Sequence, residues 1–191
     1  NGGLPAHGGN NLPLRGEKKS LYEGGVRGLA FVHSPDFSED MKGTVYTELM
    51  HITDWFPTLL GLASDGSDSN SEESKPLDGF DQWESISTGT ASLRKAILLN
   101  IDPLQPPPQN KDPLPDEWTE EYDTSIMDAI RVGDWKLLTG NPGVGIWTPG
   151  PESGQEPVNP SDSPGKFVWL FNIAEDPNET AYFSEENPEI S

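Results

Sequence analysis

The sequence predicts a fold that mixes helices with sheet, and three stretches predict it. The run Val26-Arg27-Gly28-Leu29-Ala30-Phe31-Val32-His33 is rich in β-formers and closes at Ser34-Pro35, so it reads as a buried strand. Residues Thr53 to Ala63 place apolar side chains at helical spacing, the pattern of a helix laid over a sheet. Ser125 to Val132 and Trp135 to Thr139 flank Gly133-Asp134, a two-residue hairpin signal.

In chain order, the first 27 residues open the chain and run into the first of these stretches at Val26-Arg27. Gly2, Gly3, Gly8, Gly9, Gly16, Gly24 and Gly25, with Pro5 and Pro13, interrupt every helical or strand period there, leaving a long loop whose backbone takes conformations that a Cβ resists. Such a loop brings backbone close to something. Asn1 offers an amide oxygen, Lys18 a point charge, and Arg15 and Arg27 planar forks, a set suited to a hard cation beside an oxyanion.

After the predicted strand, Thr53 is placed to cap a helix whose first turn holds Asp54 and tolerates Pro57. Trp55, Leu59 and Leu62, with Phe56, Leu60 and Ala63, form its apolar face, which should cover one side of a sheet. Ser64 to Lys75 is a polar, acidic surface loop, and a second short helix is expected through Gln82 to Ile86. Ala96 to Ile101 is a short apolar run that reads as a strand. Asp102 to Glu121 holds Pro103, Pro106, Pro107, Pro108, Pro113 and Pro115, which excludes regular structure and suits a subdomain seam or rim loop. Phe167 to Phe171 supplies another strand of large β-formers. The second half therefore predicts a small antiparallel sheet, with Asn141 to Lys166 as an irregular excursion between its strands.

Composition bounds the function. Of 191 residues only 32% are hydrophobic, while 20 are Gly and 19 Pro, which implies long connections and a small core. The chain opens on Asn inside a loop and stops at Ser191 just after Pro188-Glu189, and is read as an internal fragment. A net charge of −20 and a pI near 4.2 argue against nucleic acid or another polyanion as partner, because such binders carry a basic stripe. The acidic surface suits work at low pH, and equally plain solubility. Cysteine is absent, so no disulfide, thiolate nucleophile or zinc–thiolate site lies within these residues. No apolar run approaches the roughly 20 residues needed to span a membrane. Asn178-Glu179-Thr180 is an N-glycosylation sequon, which supports a secretory route.

The spacing Gly16-x-Lys18-x-x-x-x-Glu23-Gly24-Gly25-x-Arg27, preceded by Asn1-Gly2-Gly3, resembles the sulfatase family, and within it the arylsulfatase B type, the N-acetylgalactosamine-4-sulfatases. The resemblance continues in family order through His51-Ile52-Thr53-Asp54-Trp55-Phe56-Pro57-Thr58, Pro76-Leu77-Asp78-Gly79-Phe80-Asp81, Asn100-Ile101-Asp102-Pro103, Ala129 to Gly140, and Leu170-Phe171-Asn172-Ile173 followed by Asp176-Pro177. Any one block is weak, but the ordered set is specific.

The resemblance implies an α/β, alkaline-phosphatase-like fold. Residues 1–95 would finish the large catalytic domain, and residues 96–191 would form a smaller C-terminal subdomain on an antiparallel sheet. It implies hydrolysis of sulfate monoesters on sulfated carbohydrate or aryl substrates, such as glycosaminoglycan sugars, in the lysosome or outside the cell. The matched positions make Asn1 a calcium ligand and Lys18 the catalytic, substrate-binding lysine that meets the sulfate. The other calcium ligands, and the formylglycine made from a Cys-x-Pro-Ser-Arg motif, are expected upstream, so this stretch alone should be inactive. Val144 stands where such relatives carry a cysteine; the fold must hold without that staple.

Each reading has a plainer rival. A lone Asn before Gly-Gly is most often a turn residue, and the pair Lys18-Lys19 is most often solvated surface. Register favours Lys18, and Arg15 and Arg27 are expected to support the loop by pairing with Glu17 or Glu23. His7, His33 and His51 match no family catalytic histidine; His51 is expected to pack or hydrogen-bond ahead of the helix. Asp78 and Asp81 read better as turn and helix-start residues than as an acid–base pair. Trp135, Trp147 and Trp169 read as core or subdomain interface. Two alternatives to a working sulfatase are a catalytically dead, glycan-binding relative and a phosphodiesterase-type relative of the same fold.

Overall fold

The computed structural model describes residues 2–64, 76–104, 123–160 and 166–183. The chain divides into two compact units, one formed by Asn1–Ala30 with Leu98–Ser191 and the other by Phe31–Ile97. Helices and sheet are mixed, as the sequence led us to expect.

The first unit is built on a four-stranded sheet of order β1-β2-β3-β4: β1 (Ala96–Asp102), β2 (Met127–Val132), β3 (Trp135–Thr139) and β4 (Val168–Asn172). A short helix, α1 (Glu23–Val26), precedes them in the chain. The expected hairpin forms. Val132 faces Trp135, β2 and β3 run antiparallel, and Gly133 turns the corner at φ 55°, in the left-handed region that glycine enters freely. β4 pairs antiparallel with β3, Phe171 opposite Lys136 and Trp169 opposite Leu138. Side chains alternate across a pleated strand, so Ala129, Leu138, Trp169 and Phe171 share a face or pack at its edge in one core. Leu21 and Tyr22 of the opening loop seal it, with the Tyr22 ring edge-on to Phe171 at 6.4 Å. Each large side chain closed off there contributes about 1.5–3 kcal/mol by leaving water. Among the described residues between β3 and β4, an isolated bridge joins Trp147 and Val158.

The second unit contains a 3-10 turn at Glu39–Met41 and another at Ile52–Asp54 that runs directly into α2 (Trp55–Ala63); α3 (Trp83–Thr88) follows and ends on Gly89 at φ 73°. The expected short helix through Gln82 to Ile86 is thus present, starting one residue later.

Three expectations are corrected. Val26 to His33 is not a strand: Val26 ends α1, and residues 27–33 have no ladder partner among the described residues, leaving Leu29 and Phe31 more than 90% exposed. A strand exists only where a neighbouring edge takes its N–H and C=O groups, and β-propensity alone supplies none. Thr53 is not the helix cap. His51 takes that role, its imidazole accepting from the Thr53 N–H while its own backbone N–H donates to the Asp54 carboxylate at 2.8 Å. Finally, the apolar stripe of α2 covers no sheet within its unit; Phe56, Leu59 and Leu62 are exposed and Thr58 is the buried residue. Polar bonds anchor this helix instead. Thr58 Oγ1 donates to the Asp54 carbonyl at 2.6 Å and accepts the Gln82 N–H at 2.9 Å. The acidic loop expected at Ser64 to Lys75 and the proline-rich seam fall largely on residues 65–75 and 105–122, outside the described residues.

Candidate functional site

The opening glycine loop folds back on itself through close backbone approaches. The Gly2 N–H donates to the Gly25 carbonyl at 2.8 Å and the Lys18 N–H to the Gly3 carbonyl at 3.1 Å. Asn11 clamps Gly3 from both sides: its Oδ1 accepts the Gly3 N–H at 2.9 Å, and its Nδ2 donates to the Gly3 carbonyl at 2.9 Å and to the Gly16 carbonyl at 3.2 Å. A Cβ on Gly24 would stand 2.4 Å from the Gly16 carbonyl oxygen, and one on Gly25 2.2 Å from that of Ser20. These distances explain why glycines are needed there. They bring the 2–3 segment, the 16–20 turn and α1 into one cluster.

Lys18 sits on the 16–20 turn, which Ser20 closes by donating from N–H and Oγ to the Glu17 carbonyl at 2.9 and 2.8 Å. Its backbone is fixed, its side chain is exposed, and no ion pair holds its ammonium among the described residues. A cation on an ordered backbone with a free charge is suited to meeting an anion from solvent. Lys19, also exposed, sits at φ 80°. Asn1, the expected calcium ligand, lies outside the described residues. Among those that are described, no three His, Asp or Glu side chains come together as a metal site.

Of the two arginines of the loop, Arg27 pairs with Glu23 as expected, while Arg15 reaches backbone carbonyls. Arg27 NH1 lies 3.7 Å from Glu23 Oε2. Arg15 is buried, donates to the Gly145 carbonyl at 2.8 Å and the Glu179 carbonyl at 3.3 Å, and lies over the Tyr22 ring at 4.2 Å and the Trp147 ring at 5.0 Å.

A side-chain cluster that sequence reasoning missed lies behind the loop. Lys136 of β3, fully buried, places Nζ 2.9 Å from Glu23 Oε1 and 2.8 Å from Glu179 Oε1. The second Glu179 oxygen accepts the Glu23 N–H at 2.6 Å. Burial pushes the Glu179 carboxyl up, to about 7, against the opposing pull of Lys136 and of the Glu23 N–H. Arg131, across the ladder from Lys136 on the same face, is lowered chiefly by burial. One signal was available: Lys136 occupies an inward position between Trp135 and Leu137-Leu138, and a charge there requires partners.

Asn178 is half-buried, and its carbonyl accepts the Trp147 Nε1–H at 3.0 Å. Glu179, in the middle of the sequon, is buried at φ 56°, and the Thr180 hydroxyl donates to Asp176 at 3.0 Å. The remaining candidates fall to structural roles. His7 is exposed, Asp81 caps Trp83 at 2.9 Å, the Asp78 carbonyl accepts from Arg94 at 3.0 Å, and Trp169 is core. A hollow of about 230 Å³ lined by Asp128, Ile130, Leu137 and Thr139 opens on the sheet.

In comparison with known proteins, no family model matches the chain. Arylsulfatase J of Mus musculus is 46% identical over 201 aligned positions, covering all of this chain and 31% of that protein. The sequence comparison thus supports the sulfatase family, and the chain spans about a third of the length of that relative. A solved structure described under the metabolism of multiple glycosaminoglycans by Bacteroides thetaiotaomicron aligns over 72% of this chain and 22% of its own, at 16% identity and a TM-score of 0.33, too loose a likeness to bear on fold or function.

Proposed function

We propose that the chain is part of an arylsulfatase B-like sulfatase that releases sulfate from sulfated sugars such as glycosaminoglycans. The observation that carries this reading is the 46% identity to an arylsulfatase across the whole chain. Residues 1–95 complete the catalytic domain in this reading, and residues 96–191 form the smaller subdomain.

The contribution of this chain is the glycine loop. Lys18 meets the sulfate, where its charge offsets the negative charge that builds on the transferring group, and Asn1, beside Gly2 and Gly3, offers one oxygen to a calcium ion. The formylglycine that supplies the attacking hydroxyl, and the remaining calcium ligands, belong to residues not in this sequence; no cysteine is present to become the nucleophile. Asn178 carries a glycan, and the enzyme works in the lysosome or outside the cell.

The test is sulfate release from an aryl sulfate by the polypeptide that carries both this chain and the nucleophile, with and without a calcium chelator. Calcium-dependent release supports the reading. Hydrolysis of an aryl phosphodiester in its place, or no turnover with an intact fold, overturns it.

A further inference from the structure

We infer that Lys136 is a positioning residue for the candidate site: together with Glu179 it clamps α1, and through α1 it sets where the Gly2-Gly3 segment and Lys18 stand relative to one another. The inference rests on the proposed role of Lys18 for its catalytic consequence, but not for its structural one.

The connections are continuous. Lys136 belongs to the central hairpin, the most regular part of the first unit, and its ammonium grips Glu23, the first residue of α1. Glu179 grips the same ammonium and also the Glu23 N–H, so both ends of the Glu23 residue are held. The next two residues carry the loop. The Gly24 N–H donates to the Arg15 carbonyl at 2.6 Å, and the Gly25 carbonyl accepts the Gly2 N–H at 2.8 Å. Gly3, next to Gly2, accepts the Lys18 N–H. A short chain of hydrogen bonds thus joins a buried strand lysine to an exposed lysine.

The chemistry of the cluster fits a clamp better than a reactive group. Its ammonium is fully buried. A buried charge shared by two carboxylates is a weak net contributor to stability, but it is costly to break and directional, since each member has only one arrangement that satisfies it. The cluster also draws on three regions far apart in sequence, α1, β3 and the sequon turn that follows β4, so it fixes the loop only in the folded unit. Arg27, just after α1, and Arg131 of β2 flank it, and Arg15 holds the Glu179 carbonyl.

The test is Lys136→Met in the protein that the proposed function describes, read first by amide hydrogen exchange and then by kinetics. We expect the Lys18, Gly24 and Gly25 amides to exchange about 100-fold faster, while the β2–β3 ladder keeps its protection. kcat/KM for an aryl sulfate should fall by about 100-fold, mostly in kcat, as a displaced catalytic group dictates. Lys136→Arg, which keeps the charge, should restore most of the loop protection and much of the rate. Unchanged loop exchange in Lys136→Met overturns the inference. If that variant loses the whole unit, Glu23→Gln decides: it leaves Lys136 paired with Glu179, and selective loosening of residues 15–26 supports the clamp, whereas uniform or no change defeats it. Faster loop exchange in a protein that hydrolyses no sulfate ester at all would leave the clamp standing and remove the sulfatase reading.

Discussion

Arg94 holds Asp54 side-on: Nε donates to Oδ2 at 2.8 Å and NH2 to Oδ1, while the Asp54 side chain has no exposure to solvent. The same carboxylate accepts the His51 and Phe80 N–H groups at 2.8 and 2.9 Å, and the Arg94 guanidinium lies over the Phe80 ring at 4.9 Å. In the second unit this one carboxylate ties together the turn before α2, the segment before α3 and the segment before β1.

Removing it should be expensive. Asp54→Ala leaves Arg94 without its carboxylate and two amides without their acceptor, so we expect a loss of about 3–5 kcal/mol. Arg94→Lys should recover little, since a point ammonium does not reproduce a two-pronged donor. Denaturant unfolding followed at Trp55 and Trp83, both in this unit, measures the change; a loss under about 1 kcal/mol would mark the pair as ordinary surface.

The same pair fixes a response to acid. Burial pushes the Asp54 carboxyl up, but the Arg94 hydrogen bonds and the His51 and Phe80 amides outweigh it, and the group ends below its usual value. A carboxyl lowered by folding contributes stability that is complete above the unfolded pKa, near 3.9, and is lost as pH falls through the lower folded value. Phe31–Ile97 should therefore hold its structure unchanged from pH 7 to about 5 and weaken below about pH 4. Asp54→Asn should be less stable at neutral pH and nearly flat in acid over that lower range. An equally steep acid transition in the variant would place the titrating group elsewhere.

The two units show why some of this was legible in the sequence and some not. The hairpin around Gly133-Asp134 was legible because its cause is local: two residues set the turn, and alternating side chains set the faces. A local role for His51 ahead of α2, by packing or hydrogen bonding, was legible for the same reason, and the structure shows the hydrogen bond. Asp54 and Arg94 are 40 residues apart, and Lys136 and Glu179 are 43 apart; no short-range pattern marks either pair. The strand expected at 26–33 failed for a related reason. Its β-formers state a preference, but a strand is a relation to a neighbour, and the sequence does not name one. In the glycine loop the need for small residues was visible, while the atoms they approach, the carbonyls of Gly16, Ser20 and Gly24, were not.

Those approaches predict an asymmetry between glycines. Gly25→Ala places a methyl 2.2 Å from the Ser20 carbonyl oxygen, against backbone that has no rotamer to yield, whereas Gly154, at φ 66°, has nothing within 4 Å of its missing Cβ. Gly154→Ala should cost only the left-handed backbone strain, about 1–2 kcal/mol. Gly25→Ala must move the loop, costs about 1–3 kcal/mol by overpacking, and should in addition loosen the Lys18 amide, which Gly154→Ala should not touch. Exchange at that amide in the two variants separates them. Equal protection in both would mean that the loop absorbs the methyl by a shift too small to matter.

Lys18 and Lys19 offer the sharpest contrast in the candidate site, because they share charge, exposure and position in the chain and differ in what holds them. The Lys18 N–H is bonded to Gly3, the neighbour of the Gly2 that α1 anchors, while Lys19 occupies a left-handed backbone position on the turn. If Lys18 meets the sulfate, its charge acts where negative charge grows in the transition state, and removing one such donor costs about 100-fold to 1,000-fold in turnover. Lys18→Ala should show that loss on an aryl sulfate, and Lys18→Arg should recover only part, because a planar fork does not occupy the place of a compact ammonium. Lys19→Ala removes the same formal charge from the same turn and should change the rate by no more than about threefold, the scale of a screened surface charge. Raising the salt concentration sharpens the comparison: a long-range attraction between the turn and the substrate fades for both variants alike, whereas direct contact at Lys18 persists. Two small and equal effects would show that the turn attracts the anion without touching it, and the residue that meets the sulfate would have to be sought elsewhere.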